Sequence, residues 1–384
     1  MQAKPSFGVL LVTGGMTHQE NYGAGFLADP RARVVGLTDE PDVDERRDRL
    51  NRGLADQFGI PFLPDIREAL ARSDVHLVSV CSEFERRTRV SQICAEAGKH
   101  LYVDKPMVTK MAEADKLVAT ARRRGLRGQM FTQVGAPYAR RLKGIVDSGA
   151  LGEIKSIQCD LMFAKGFTGG APLGAPRREH DPPRRFTFPD AKREIWTTAV
   201  YSLTLIRWLL GGPRFRSVYA TSANYFFEEH YKRDVEDFGT LALTLDNGVT
   251  ASLIAGRIGW HSHRSSGPNF TRIIGSKRSF LLDAHSPRFE ISSDRKWAPP
   301  AKDPIDPMGF WSSTMERGNA QPKPFWHEPP TVPGRSDQAL FLDCLEQDKE
   351  PEVTLDDAAQ ASEAMLAAYR SAATGQVVAL PLPR

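Results

Sequence analysis

The feature that most constrains this chain is the rhythm of its first 130 residues, in which short apolar runs alternate with stretches of helical character. Phe7 to Val12 reads as a buried strand, Ala32 to Leu37 as a second and Val75 to Cys81 as a third. A helix over Glu85 to Ala97 follows, with Gly98 placed to end it in a left-handed conformation. His100 to Val103, a helix over Met111 to Arg124 and a strand over Arg127 to Phe131 continue the pattern. Strands separated by helices of this length cannot form hairpins. They imply right-handed crossovers and a parallel sheet.

After Asp147-Ser148-Gly149 the rhythm changes. Glu153 to Phe163 is strand-like, residues 166–192 form a loop rich in Gly, Pro and Arg, and an apolar helix starting at Ile195 is stopped by Gly211-Gly212-Pro213. Longer alternating strands come next, over Phe215 to Phe226, Phe238 to Leu245 and Thr250 to Arg257. Asp246-Asn247-Gly248 between the last two is a hairpin turn signal. Residues 286–335 are Pro-rich and irregular, and two helical stretches, Ser336–Glu346 and Leu355–Ala373, close the chain. The expected fold is α/β: a parallel-sheet domain over 1–133, then an α+β domain over 134–384 built on a large, open, mostly antiparallel sheet. The last helix is placed to return to the first domain.

Composition removes several classes of function. With 51 Lys and Arg against 47 Asp and Glu, the net charge of +4 on 384 residues gives neither a nucleic-acid footprint nor a polybasic membrane patch. The cysteines, Cys81, Cys94, Cys159 and Cys344, are scattered without a CxxC pair, which suits reduced thiols better than a disulfide framework or a zinc site. The first residues lack the apolar core of a signal peptide, and no run is long enough to span a bilayer. A soluble, cytoplasmic protein is expected.

The turn after the first strand reads Val12-Thr13-Gly14-Gly15-Met16-Thr17. A glycine-rich turn there lets backbone N–H groups approach a pyrophosphate at a helix N-terminus, and Gly14 alone holds a position of the GxGxxG fingerprint. Asp39, closing the second strand, falls where such folds place a carboxylate on the adenosine ribose. That carboxylate accepts from a 2′-hydroxyl and repels a 2′-phosphate, so NAD is expected over NADP. Arg46 and Arg47, which follow it, read as a solvated helix face.

Three passages carry a family likeness: AGKHLYVDKP (97–106), LKGIVDSGALGEIKSI (142–157) and EPEVTLDDAAQASEAMLAAYRSAATGQVVALP (350–381). In this order and spacing the chain resembles the Gfo/Idh/MocA family of sugar and cyclitol dehydrogenases, with Asp104 in place of the family's Glu. The resemblance implies a Rossmann domain whose cofactor contacts fall on Thr13, Gly14, Gly15, Asp39, Ser82 and Lys105. SEFERR (82–87) stands where the family has T-P-N-x-x-H, so Glu83, Phe84 and Arg87 depart from its pattern. Lys105, inside Asp104-Lys105-Pro106, is the lysine that in the family contacts the substrate hydroxyl.

The family's second group lies on the helix before its RWLLG-like end, commonly as D-x-x-x-H-x-x-D. Here those positions hold Thr197, Tyr201 and Thr204. Tyr201 then takes the place of the base; a tyrosine serves if a neighbouring ammonium such as Lys105 favours its phenolate. Weaker candidates are Thr197 and His180 toward substrate, with His180 in a loop that also holds Arg177, Arg178, Asp181, Arg184 and Arg185. His261 and His263 alternate along one segment without a third ligand, so no metal site is expected. Aromatics over 297–327 offer either a stacking surface or an oligomer arm.

These readings imply an NAD-dependent oxidoreductase that moves a hydride between nicotinamide and a hydroxyl carbon of a sugar, cyclitol or glycoside bound between the two domains. Self-association as a homodimer or homotetramer through the second sheet is expected. Two rivals remain: a relative that uses NAD transiently to cleave a glycoside, and a catalytically inactive sensor of nucleotide or sugar.

Overall fold

The computed structural model describes residues 7–163, 166, 193–259, 270–283, 304 and 334–384. His180 with its arginine-rich loop, His261, His263 and the aromatic stretch 297–327 lie outside the described residues. The chain forms two units, Met1–Thr132 with Arg335–Ala359, and Gln133–Gly334 with Gln360–Arg384.

In the first unit the strands are β1 (Phe7–Val12), β2 (Ala32–Thr38), β3 (Phe62–Leu63), β4 (Leu77–Val80), β5 (His100–Val103) and β6 (Gly128–Met130). All pair in parallel in the order β3-β2-β1-β4-β5-β6. The order reverses between β1 and β4. Crossovers leave there in opposite directions, which opens a crevice outside the carboxyl ends of the strands. Helices α1 (Gln19–Ala28), α2 (Glu45–Phe58), α3 (Ile66–Ala71), α4 (Phe84–Glu96) and α5 (Met111–Arg123) make the crossovers. Val9 to Val12 are fully buried, as a central strand covered on both faces requires.

The C-terminal segment adds helix α9 (Asp337–Glu346) to this unit. Ser336 caps it by accepting the Ala339 N–H, and Phe341 and Leu342 are buried in the cluster that holds Tyr22, Phe26 and Tyr102. Burying each such side chain stabilises the unit by about 1.5–3 kcal/mol.

The second unit opens with α6 (Pro137–Asp147), β7 (Ile154–Phe163) and α7 (Glu194–Leu209). Its remaining elements are β8 (Phe215–Ala223), α8 (Glu228–Lys232), β9 (Phe238–Leu245), β10 (Thr250–Arg257), β11 (Phe270–Gly275), β12 (Ser279–Asp283) and β13 (Val378–Ala379). The sheet order is β12-β11-β7-β10-β9-β8-β13, antiparallel throughout except for β7 with β10. The hairpin between β9 and β10 turns on Gly248, whose φ of 84° explains the glycine. Strand β8 ends three residues before the expected Phe226, because the Asp237 carboxylate draws the N–H groups of Tyr225, Phe226 and Phe227 away from the ladder. Helix α7 is buried nearly throughout, so its hydroxyls must find partners inside the unit. Among the described residues no helix is long and apolar enough to cross a membrane.

Candidate functional site

The switch point between β1 and β4 places the turn Thr13–Thr17 at the start of α1. Thr13 and Met16 hold the left-handed backbone conformation, φ 68° and 58°. Such conformations each cost on the order of 1–3 kcal/mol and persist where surrounding contacts fix them. Here the contacts come from α2. The Gly14 N–H donates to Asn51 Oδ1 at 2.7 Å and the Gly15 N–H to the Leu50 carbonyl at 3.3 Å. A Cβ on Gly14 would lie 2.8 Å from Asn51 Cα, so glycine is required by the closeness of this helix.

The third amide of the turn, on Met16, donates to Glu20 Oε1 at 2.5 Å. Burial pushes the Glu20 carboxyl up from the usual range, against the backbone amides of Glu20, Met16 and Thr17 and the charge of Arg47. The turn gives its Gly14 and Gly15 amides to α2 and its Met16 amide to a carboxylate, so the head of α1 is an anion cradle with Glu20 standing in it. The group of like chemistry in a dinucleotide is the pyrophosphate, so the cradle fits that cofactor, with Glu20 as its stand-in.

Asp39 sits past the end of β2, as expected, and is almost fully buried. Both its oxygens are doubly engaged. Oδ1 accepts from the Glu40 N–H and Arg86 Nη1, and Oδ2 from Asn51 Nδ2 and Arg86 Nη2. Arg86 is engaged just as completely: Nε donates to Glu83, Nη1 also reaches Glu40, and Nη2 also reaches the Thr13 hydroxyl. That hydroxyl is 2.8 Å from Ser82 Oγ, which brings two of the expected contact residues together. Arg47 is not on a solvated face. It is buried, bonded to Glu83 and to the Gly15 carbonyl, because the turn lies directly over α2. Against burial, which would raise it, Arg47 and Arg86 hold Glu83 at about 2.

Beyond β5, Asp104 gathers another set of partners. Its carboxylate accepts from His18 Nδ1 at 2.9 Å, the Tyr22 hydroxyl at 2.8 Å, Arg87 Nη2 at 2.7 Å and the Lys105 N–H at 2.8 Å. Burial would raise its pKa, but Arg87 and His18 drive it well below the carboxylate range. Arg87 also donates to the carbonyls of Ser82, Asp104 and Pro106. This one side chain ties the β4 end to the β5 end and fixes the backbone that carries Lys105, itself buried.

In the second unit, α7 presents Thr197, Tyr201 and Thr204, all buried. Thr197 Oγ1 donates to Glu194 Oε2 at 3.0 Å, so a carboxylate does stand one turn before Thr197. Glu194 is fully buried between Arg257 Nε at 2.9 Å and His230 Nε2 at 3.3 Å. Burial would raise it; Arg257 and His230 hold it at about 2. Thr204 bonds back to the Val200 carbonyl and is a helix-internal hydroxyl. The Tyr201 ring meets Phe163 edge-on at 6.1 Å between centroids. Sequence reasoning missed Glu20, Asn51, Arg86, His18 and Glu194. Only Arg86 carried a signal, since it lies in the 82–87 segment that departs from the family pattern.

A parallel sheet of this order with an anion cradle at its switch point defines a dinucleotide-binding fold joined to a second α+β unit. Residues 7–132 match the oxidoreductase family model described as an NAD-binding Rossmann fold, and residues 139–281 match the GFO/IDH/MocA C-terminal domain. The chain belongs to the Gfo/Idh/MocA oxidoreductase family.

Among curated relatives, a dTDP-3,4-didehydro-2,6-dideoxy-alpha-D-glucose 3-reductase of Actinomadura kijaniata is 31% identical over 141 residues, 36% of this chain and 40% of the reductase. A myo-inositol 2-dehydrogenase of Thermotoga maritima is 27% identical over 34% of this chain and 41% of its own length. The chain thus matches less than half the length of these relatives. Among solved structures, GenD2 from gentamicin A biosynthesis, in complex with NAD, has a TM-score of 0.69 at 22% identity, covering 100% of this chain and 98% of its own. At that identity the likeness is one of fold.

Proposed function

We propose that this chain is an NAD-dependent oxidoreductase acting on a hydroxyl carbon of a small sugar, cyclitol or related polyol. The observation that carries the reading is Lys105, buried just past the carboxyl end of β5 in a unit whose switch point holds an anion cradle. Its likeness to a sugar-nucleotide reductase and an inositol dehydrogenase supports this substrate class. Bound nicotinamide would supply the hydride acceptor or donor. The protein's own part is to orient the hydroxyl through Lys105 and to move its proton through Tyr201. Thr13 and Ser82 line the same edge. NAD is favoured over NADP because every N–H of Arg86 is already held by Asp39, Glu40, Glu83 and Thr13, which leaves the guanidinium no donor for a 2′-phosphate.

The test is a panel of sugars and inositols with NAD, followed at the absorbance of reduced nicotinamide. With the best substrate, Lys105→Met and Tyr201→Phe should each lose roughly 10²–10⁴ in turnover. The double variant should lose little more, because groups that act on one proton are not additive. Near-normal turnover in Tyr201→Phe would remove it as the acid–base group. A substrate oxidised faster with NADP would reverse the cofactor assignment.

A further inference from the structure

The anion cradle at the head of α1 is filled by the chain itself. Glu20 Oε1 accepts the Met16 N–H, while Glu20 Oε2 is buried without a hydrogen-bond partner among the described residues. A carboxylate with one oxygen satisfied and the other buried and bare is poorly suited to remain ionised there. It also occupies the amide that a pyrophosphate would claim, at the positive end of the helix.

We propose that Glu20 governs dinucleotide affinity in this chain by holding the phosphate cradle with its own carboxylate, so that binding requires Glu20 to leave the cradle or take up a proton. The inference rests on the dinucleotide reading above and adds a residue that the family likeness does not supply. Anion and carboxylate cannot share one amide turn. Their repulsion at contact distance in a partly buried site exceeds what the amides at the head of α1 return. Protonation removes the repulsion and turns Oε2 into a donor that a phosphate oxygen can accept.

Burial already disfavours the charged form of Glu20. The groups that act on it from neighbouring elements are Arg47 on α2, which stays charged, and Cys81 beyond β4, whose thiol burial pushes well above its usual range. His18, two residues before Glu20, is the other group whose ordinary titration falls between acid and neutral pH.

The experiment is calorimetric titration of the full chain with NADH, between pH 5.5 and 8, in buffers of different ionisation enthalpy. In the unaltered protein, affinity should rise as pH falls, with a proton taken up on binding. Glu20→Gln, which keeps the shape and the acceptor, should bind NADH about tenfold tighter at pH 8 and without the proton. The uptake in the unaltered protein needs no variant, so it tests the idea even if the substitution disturbs folding. If Glu20→Gln still takes up the proton, the titrating group is His18 and the proposal fails. Equal affinity in both proteins with no pH dependence also overturns it, yet leaves dinucleotide binding intact. Weaker binding in Glu20→Gln would make Glu20 a ligand contact, which is the opposite of the proposal. If neither protein binds NADH or NADPH at any pH, the dinucleotide reading falls and this inference falls with it.

Discussion

Each unit buries a carboxylate between an arginine and a histidine, and the two clusters differ in how far water reaches the histidine. In the first unit Asp104 is held by Arg87 and His18; in the second Glu194 is held by Arg257 and His230. Both carboxylates are pulled down by those neighbours against the effect of burial. His18, however, keeps 22% of its side-chain surface in solvent, whereas His230 keeps 0%. The same chemistry is therefore open at the sheet's carboxyl edge and sealed at the head of α7. An imidazole that water reaches can exchange a proton with its surroundings; a sealed one can only fix geometry. Placement, more than residue type, separates a site from a scaffold.

The largest expected effect tests what the clusters share. Removing the arginine strands a buried carboxylate, which typically costs about 3–5 kcal/mol. Arg257→Met and Arg87→Met should each lose stability of that order in urea unfolding near neutral pH. Adding Glu194→Gln to Arg257→Met should recover much of the loss, because no uncompensated charge then remains. If Arg87→Met costs less than about 1 kcal/mol, water reaches Asp104 as it does a surface carboxylate, and the two clusters are not alike.

A third buried carboxylate, in the first unit, sharpens the comparison because among the described residues no arginine, lysine or histidine bonds to it. Asp337, the first residue of α9, accepts from the Tyr102 hydroxyl and Gln129 Nε2, both at 2.9 Å, and burial raises its pKa to about 7. An ordinary aspartate titrates near ~4. Between those values the folded chain holds a proton that the unfolded chain has lost. Stability from this group is complete below pH ~4, declines as pH rises, and levels off above about 7. Each unit of difference corresponds to about 1.4 kcal/mol, so Asp337→Asn should exceed the unaltered chain at pH 8 by up to ~4 kcal/mol. It should also flatten the slope between. An unchanged slope in Asp337→Asn would mean that another group produces it.

What could be read from the sequence follows the same division between apolar and polar signals. Strands β1 and β5 have the bounds expected for them, because a central parallel strand is a run of apolar residues between breaks. Helices α1 and α2 had no such mark. The inner face of α1 includes Gln19 and Gly23, and that of α2 includes Arg47 and Asn51, so neither shows an apolar stripe. The site was hidden for that reason. Glu20, Arg47 and Asn51 fill the cradle from these two helices, and an inward polar residue looks like an outward one until its partner is known. Asp39 and Lys105 could be placed because strand ends are legible; the saturation of Asp39 by Arg86 could not, since those residues lie 47 apart in sequence. Glu194 was passed over for a similar reason: as the first residue of α7 it reads as an ordinary acidic start to a helix.

The smallest effect bears on the difference itself, and it needs no variant. Carbethoxylation of a histidine requires the reagent to reach a ring nitrogen, so its rate in the folded chain reports access and not chemistry. His18 is partly exposed, and its Nδ1 is directed at Asp104. His230 is enclosed by Glu194 and the Phe227 ring, which lies 5.0 Å away between centroids. Under native conditions His18 should be modified within the reagent's lifetime, and His230 only after urea unfolds the second unit. Peptide mass spectrometry distinguishes the two sites. Equal labelling would place His230 in contact with solvent and erase the contrast between open and sealed clusters. Protection of both would show that the carboxyl edge is covered in solution. The contrast survives only if His18 reacts first.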